Sequence, residues 1–436
     1  MTVADAWPAG KIRTAPAVTL LIRHARAACM TGLQREAGDA PLALIEDAAI
    51  AVAGALIWWI GPDAELPADL PRAPTCLEVD AAGALVTPGL IEPHTHLLFA
   101  GDRGAEHAQR LAGATYLEIA EKGGGIRATV RATAAASDES LVAAAQARLA
   151  RLVSGGVTTA EVKSGYGLSV EGELRILRLI RAAAEAAGCD VEATLLGLHA
   201  VPEGKDQHAW VHEVVTELTP AVAKAGLARH CDAFLERGAF TAQECRFALE
   251  AGQRLGLVPH LHADQLTAGG GAELAAEIGC SSADHLERTT RAGAEAMARS
   301  GTVATLLPLA AWFLRDSRPA QAKLFLDAGC TVALGGNLNP GSQRIESVSM
   351  LLAAGCLIAG LTPQQALFAA TAGAARALRT KDRGQLVPGK RADLVVWSAR
   401  DAAHLAYHAG IEHPLLVFRR GEVVLDRRAA PPLLCS

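Results

Sequence analysis

The residues best placed to do chemistry are His94 and His96, at the end of Leu85-Val86-Thr87-Pro88-Gly89-Leu90-Ile91-Glu92-Pro93-His94-Thr95-His96. The run reads as a buried apolar strand that stops at Pro93 and then presents two histidines two residues apart. In an extended chain residues i and i+2 leave the same face, so both imidazoles can reach one metal ion. That is half a metal site, and a polar turn has the same short pattern. His262, in Leu257-Val258-Pro259-His260-Leu261-His262-Ala263-Asp264-Gln265, ends another apolar run and can complete a three-histidine site, although a lone histidine there is more often a satisfied core residue. His285, in Ser282-Ala283-Asp284-His285-Leu286-Glu287, and His199, in Leu195-Leu196-Gly197-Leu198-His199-Ala200, are candidates for proton transfer or substrate polarisation, against ordinary hydrogen bonding at a rim. Arg103 follows the histidine pair closely enough to lie over the same mouth, where a planar guanidinium can clamp a carboxylate; a surface salt bridge is its alternative. Tyr166 sits in the glycine-flanked run Val162-Lys163-Ser164-Gly165-Tyr166-Gly167. Gly123-Gly124-Gly125 and Gly269-Gly270-Gly271 lack the spacing of a phosphate-binding loop and read as turns.

Something must hold these residues together. Between about residues 86 and 385 the chain repeats strand, polar turn and helix, and strand-like runs end near His96, Lys163, His199, Phe234, His262, His285, Leu307 and Asn337. The intervening pieces have helical periodicity, as in Ser140–Leu152 and Gly172–Arg181. Eight strand-helix units match a (β/α)8 TIM-type barrel, whose carboxyl strand ends converge on one site. The two chain ends carry short β-type runs instead: Val18–Arg23, Ala49–Val52 and Ala55–Gly61, then Ala392–Trp397 and Pro414–Val424. Each end is too short to bury a core alone, so a small antiparallel unit from residues 1–85 and the segment 386–436 are expected to form one composite β-sandwich domain.

Composition narrows the function classes. With 436 residues, half of them hydrophobic, the chain can bury a sizeable core. A net charge of only −5, with acids and bases interspersed, gives no reason to expect nucleic acid or an anionic membrane as partner, and a small molecule is the better expectation. No apolar run approaches the roughly 20 residues of a membrane span, and Met1-Thr2-Val3-Ala4-Asp5 lacks a signal-peptide layout, so a cytoplasmic location is expected. The nine cysteines are scattered singletons, which suits reduced, buried thiols better than disulfides or a zinc knuckle.

Taken together, the motifs Pro88–His96, Leu111-Ala112-Gly113-Ala114-Thr115-Tyr116, Glu161–Gly167, Gly197-Leu198-His199-Ala200-Val201-Pro202, His262-Ala263-Asp264-Gln265, Ser282–Glu287 and Asn339-Pro340-Gly341 resemble the imidazolonepropionases of the metal-dependent amidohydrolase superfamily, from about Leu85 to the C-terminus. The resemblance implies hydrolysis of the ring amide of 4-imidazolone-5-propanoate to N-formimidoyl-glutamate in histidine degradation, by a cytoplasmic homodimer. It implies that His94, His96 and His262 hold one divalent metal, zinc or iron. Arg103, Tyr166 and His199 would bind the propionate and ring, Gln265, Asn339, Gly341 and Ser342 would line the remaining pocket, His285 would assist the chemistry with Gln265 and Asn337, and Asn337 would also stand at the metal. The family's proton carrier is an aspartate at the end of strand eight that also touches the metal. Here Asn337 stands in its place, nearly isosteric but unable to accept a proton at neutral pH. Leu309 likewise stands where the family usually has glycine. Three readings remain: an imidazolonepropionase in the strict sense, a paralogue acting on a 2-thioxo or hydantoin-type ring propionate, and a non-catalytic metal-bound protein that binds the ligand. The retained metal-site and pocket residues argue against the third.

Overall fold

The computed structural model describes residues 16–114, 118, 123–411 and 414–429. Strands β1 (Val18–Ala28), β2 (Leu44–Ala53), β3 (Leu56–Pro62), β4 (Arg72–Asp80) and β5 (Leu85–Pro88) come first. They are followed by β6 (Leu90–Glu92), β7 (Val157–Lys163), β8 (Asp190–Leu198), β9 (His230–Ala233), β10 (Val258–Ala263), β11 (Ser282–His285), β12 (Val303–Leu306) and β13 (Val332–Leu334), and last by β14 (Leu394–Trp397), β15 (Pro414–Arg419) and β16 (Glu422–Asp426).

The chain ends do form one sheet, of eight strands, in the order β16-β15-β14-β5-β1-β2-β3 with β4 also on β1. Leu20, Ile22, Ile50, Val52, Val86, Leu394, Val396 and Phe418, drawn from both ends, share its apolar core. The sheet is mixed, which corrects the expected small antiparallel unit. Along one edge β1 runs antiparallel to β2. Along the other it pairs in parallel first with β4 and then with β5. The run β4 carries Arg72, Pro74, Glu78 and Asp80, so neither an alternating nor a continuous apolar pattern announced it. The run Pro414–Val424 also proves to be two strands, joined at Arg420 (φ 53°) and Gly421 (φ 80°), the two left-handed residues of a hairpin turn.

The middle of the chain is the expected barrel: β6 to β13 lie in sequence order, each parallel to the next. Helices between them follow from capped, striped sequence. Ser137 accepts from Ser140 N (3.2 Å) to start Asp138–Ser154, which buries Leu141, Ala145, Leu149 and Leu152, and Ser169 does the same for Val170–Glu185 through Gly172 N (3.0 Å). The first and last barrel strands meet beyond their regular ends. Asn337 N donates to His94 O and His96 N to Leu338 O, both at 2.9 Å, and Thr95 bridges Leu338 in parallel. The histidine pair is therefore part of the seam that closes the barrel. The buried Gln34, from the N-terminal segment, pairs with β13 as a strand would, its amide accepting from Val332 N (2.9 Å) and donating to Val332 O (3.0 Å). The eight described cysteines are unpaired, and among the described residues no helix is long and apolar enough to cross a membrane.

Candidate metal centre

His94, His96, His262 and His285 reach the mouth from three strand ends, and all four are 3% exposed or less. His94 and His96 follow β6, where Pro93 ends the regular ladder. His262 lies in β10 and His285 closes β11. His285 and Leu286 hold φ of 79° and 72°, left-handed values that non-glycine residues adopt only under constraint; Leu286 N is tied to Ala263 O (3.0 Å).

The ring nitrogens divide into held and open ones. His94 Nδ1 lies 2.6 Å from Asp284 Oδ2, and its Nε2 is buried without a hydrogen-bond partner. His262 Nδ1 stands 3.0 Å from Asp232 Oδ2, and its Nε2 faces His96 Nε2 at 3.4 Å. Donor atoms of His94, His262 and His285 all fall within 4.8 Å of one another. Burial pushes His94 and His96 well below the ordinary histidine pKa and lowers His262. Neutral imidazoles with open nitrogens are what a divalent ion requires. Two nitrogens bound at about 2.0 to 2.1 Å with a tetrahedral angle lie about 3.3 Å apart, close to the His96–His262 spacing. The donors present fit such an ion.

The other expected site residues gather around this group. His199 stacks on His96 (centroids 5.1 Å, planes 20° apart), with its Nδ1 2.9 Å from Gly165 O. Tyr166, 4% exposed, lies 5.4 Å from the His199 ring and 6.2 Å from the His96 ring. Gly165 must be glycine: its φ is 110° and a Cβ would press on His199 at 2.8 Å. Arg103 gives Nε to Glu106 Oε2 (2.8 Å), and its terminal nitrogens lie against Gly341, where a Cβ would collide with Nη1. Asn337 (φ 56°) is buried beside His94, with Oδ1 accepting from Asn339 Nδ2 at 3.2 Å. Asn339 is committed to its own loop. Its Oδ1 accepts from the backbone of Gly341 and Ser342 (2.8 Å each), and its Nδ2 also reaches Asn337 O and Ser342 Oγ. Gln265 is half-buried just past β10, and the buried Leu309 lies in the first turn of the helix after β12, which Pro308 opens. Thr115 and Tyr116 lie outside the described residues.

Beneath the histidines lie five charged residues that motif spacing does not single out, Glu92, Glu161, Lys163, Asp232 and Asp284, none more than 4% exposed. The signal for them was a charge inside an otherwise apolar strand run, as in Val157-Thr158-Thr159-Ala160-Glu161-Val162-Lys163.

The amidohydrolase family matches residues 85–424. An imidazolonepropionase of Anaeromyxobacter dehalogenans (strain 2CP-1 / ATCC BAA-258) is 48% identical over 96% of this chain and 99% of its own length. One of Myxococcus xanthus (strain DK1622) is 46% identical over 94% and 98%. Atrazine chlorohydrolase TrzN from Arthrobacter aurescens TC1, solved complexed with zinc, shares the fold with a TM-score of 0.72 over 96% of this chain and 97% of its own, at 18% identity.

Proposed function

The chain belongs to the imidazolonepropionases of the amidohydrolase family, and from that premise we propose how its mouth residues divide the work. The reaction is hydrolysis of the ring amide of 4-imidazolone-5-propanoate to N-formimidoyl-glutamate, a step of histidine degradation. One divalent ion, zinc or iron, is held by His94, His96 and His262, with Asn337 beside it. The observation that carries this is the buried approach of His96 Nε2 to His262 Nε2 at 3.4 Å, next to a partnerless His94 Nε2. When bound, such an ion acidifies water and polarises a carbonyl.

The remaining steps fall to the chain's own side chains. Arg103 clamps the propionate with the nitrogens that Glu106 leaves free, a bidentate fit that lysine cannot make. Tyr166 and His199 flank His96 and seat the ring. Gln265, Gly341 and Ser342 line the pocket, while Asn339 shapes the loop that presents the last two. Hydrolysis needs a group that takes a proton from water and returns it to the departing ring nitrogen. Asn337 cannot do this at neutral pH, so the role goes to His285, which faces the same group of imidazoles with centroids 5.9 Å from His94 and 5.5 Å from His262. A cytoplasmic homodimer is proposed from the family resemblance. The division 1–85, 86–385 and 386–436 is proposed with the separate apolar core of the end sheet in its support.

Metal analysis together with kcat/KM on imidazolonepropionate and on its 2-thioxo and hydantoin analogues tests the reading. One ion per chain and the highest kcat/KM on imidazolonepropionate are expected; a metal-free protein, or preference for an analogue, overturns it. His262→Ala should abolish stoichiometric metal, and metal retained in that variant would refute the ligand set.

A further inference from the structure

Below the histidines one lysine ammonium is enclosed by carboxylates. Lys163 Nζ lies 2.8 Å from Glu161 Oε1, 2.8 Å from Asp232 Oδ2 and 3.7 Å from Asp284 Oδ2, and all four side chains are fully shielded from solvent. Each carboxylate leads upward. Asp284 meets His94 Nδ1 (2.6 Å), and Asp232 meets His262 Nδ1 (3.0 Å). Glu161 accepts from the backbone N of Thr95 (3.2 Å), the residue between His94 and His96, and its own backbone oxygen accepts from Thr95 Oγ1 (2.7 Å). The residues come from β7, β9 and β11, alternate strands of the barrel, whose inward side chains form a common layer. Burial alone would discharge the ammonium; the charges of Asp232, Glu161 and Asp284 outweigh it and push its pKa up.

We propose that Lys163 is a positioning residue for the metal centre, a single cation that fixes the carboxylates orienting His94 and His262 and, through Glu161, the backbone of the histidine pair. The proposal rests on the metal-centre reading above. Lys163 is the one cation set among these three carboxylates. Without the ammonium the carboxylates repel one another and are free to turn away from the imidazoles, so the ligand set loses its fixed geometry.

Two variants test this. Lys163→Met removes the ammonium and leaves the carboxylates unbalanced. Lys163→Met combined with Glu161→Gln removes the ammonium together with one of its two close carboxylates. For each, metal affinity is measured by chelator competition, ligand geometry by the visible spectrum of the cobalt(II) protein, and folding by thermal unfolding. Both variants should bind metal about 10- to 100-fold more weakly, with a changed cobalt spectrum, the range for removal of an outer orienting partner. The double variant should unfold near the wild-type temperature. A double variant with wild-type affinity and spectrum overturns the proposal, and so does one that fails to fold, since Lys163 would then serve the barrel core alone. An unmodified protein that binds no metal would instead sink the metal-centre reading itself.

Discussion

Arg103 has its Nε already given to Glu106, so a carboxylate would be met by its two terminal nitrogens. Arg103→Lys keeps the charge and loses the fork. It should lower kcat/KM on imidazolonepropionate by about 1 to 3 kcal/mol, the range for a charge-assisted hydrogen bond, and unchanged kinetics would dismiss the clamp. Asn337 presents the opposite case, a side chain with the right shape and the wrong charge. Its φ of 56° is a conformation that asparagine and aspartate both tolerate, so Asn337→Asp should be accepted by the backbone. The new carboxylate adds a second proton carrier beside His94. With His285 carrying the proton, kcat/KM should change by less than about tenfold, and a rise toward the roughly 10²- to 10⁴-fold that a positioned acid or base contributes would move the role to residue 337. If kcat/KM does not move, the proton traffic belongs wholly to His285.

The loop that follows β13 shows how an element serves residues outside it. Asn339 folds the segment on itself through Gly341 N and Ser342 N, and Arg110 anchors it by donating to Gly341 O at 2.7 Å. The bare Cα of Gly341 then lies where the Arg103 guanidinium must pass. Gly341→Ala meets only the far end of a flexible side chain, so the fold should tolerate it while Arg103 is pushed aside. The expected outcome is a raised KM for imidazolonepropionate with Tm within a few degrees of wild type. A variant with wild-type KM would show that Arg103 has room to spare. Gly165 admits no such substitution, because its left-handed φ and the His199 ring both forbid a side chain.

Across the whole molecule, the barrel is tied to the end sheet at its amino-terminal side, far from the mouth. Asp190, the first residue of β8, lies within 3.2 Å of Arg383 Nη1 and Arg420 Nη2 and within 3.8 Å of Arg419 Nη1, and it also pairs closely with Arg391. Burial raises its pKa, but the Arg391 and Arg420 contacts outweigh this and hold it below the usual carboxylate value. A depressed folded-state pKa gives stability that is present above the unfolded value of about 3.9 and lost as pH falls through the folded one. Asp190→Asn should therefore cost about 1 to 3 kcal/mol at pH 7, less than a fully buried pair because the carboxylate is partly exposed. In denaturant titrations the gap from wild type should close as the pH drops below about 4. A gap independent of pH would assign the loss to packing. At this scale the division between sequence and structure is plain. The barrel, the histidine pair and the partners His262, His285, His199 and Arg103 were legible in the sequence, because strand ends in this architecture converge and apolar runs mark where strands stop. The parallel place of β4, the commitment of Asn339 to its own loop and the ion cluster around Lys163 were not. Each depends on which strands become neighbours across a closed barrel or a folded-over sheet, and spacing along the chain carries no record of a contact such as the one between Asp284 and His94, 190 residues apart.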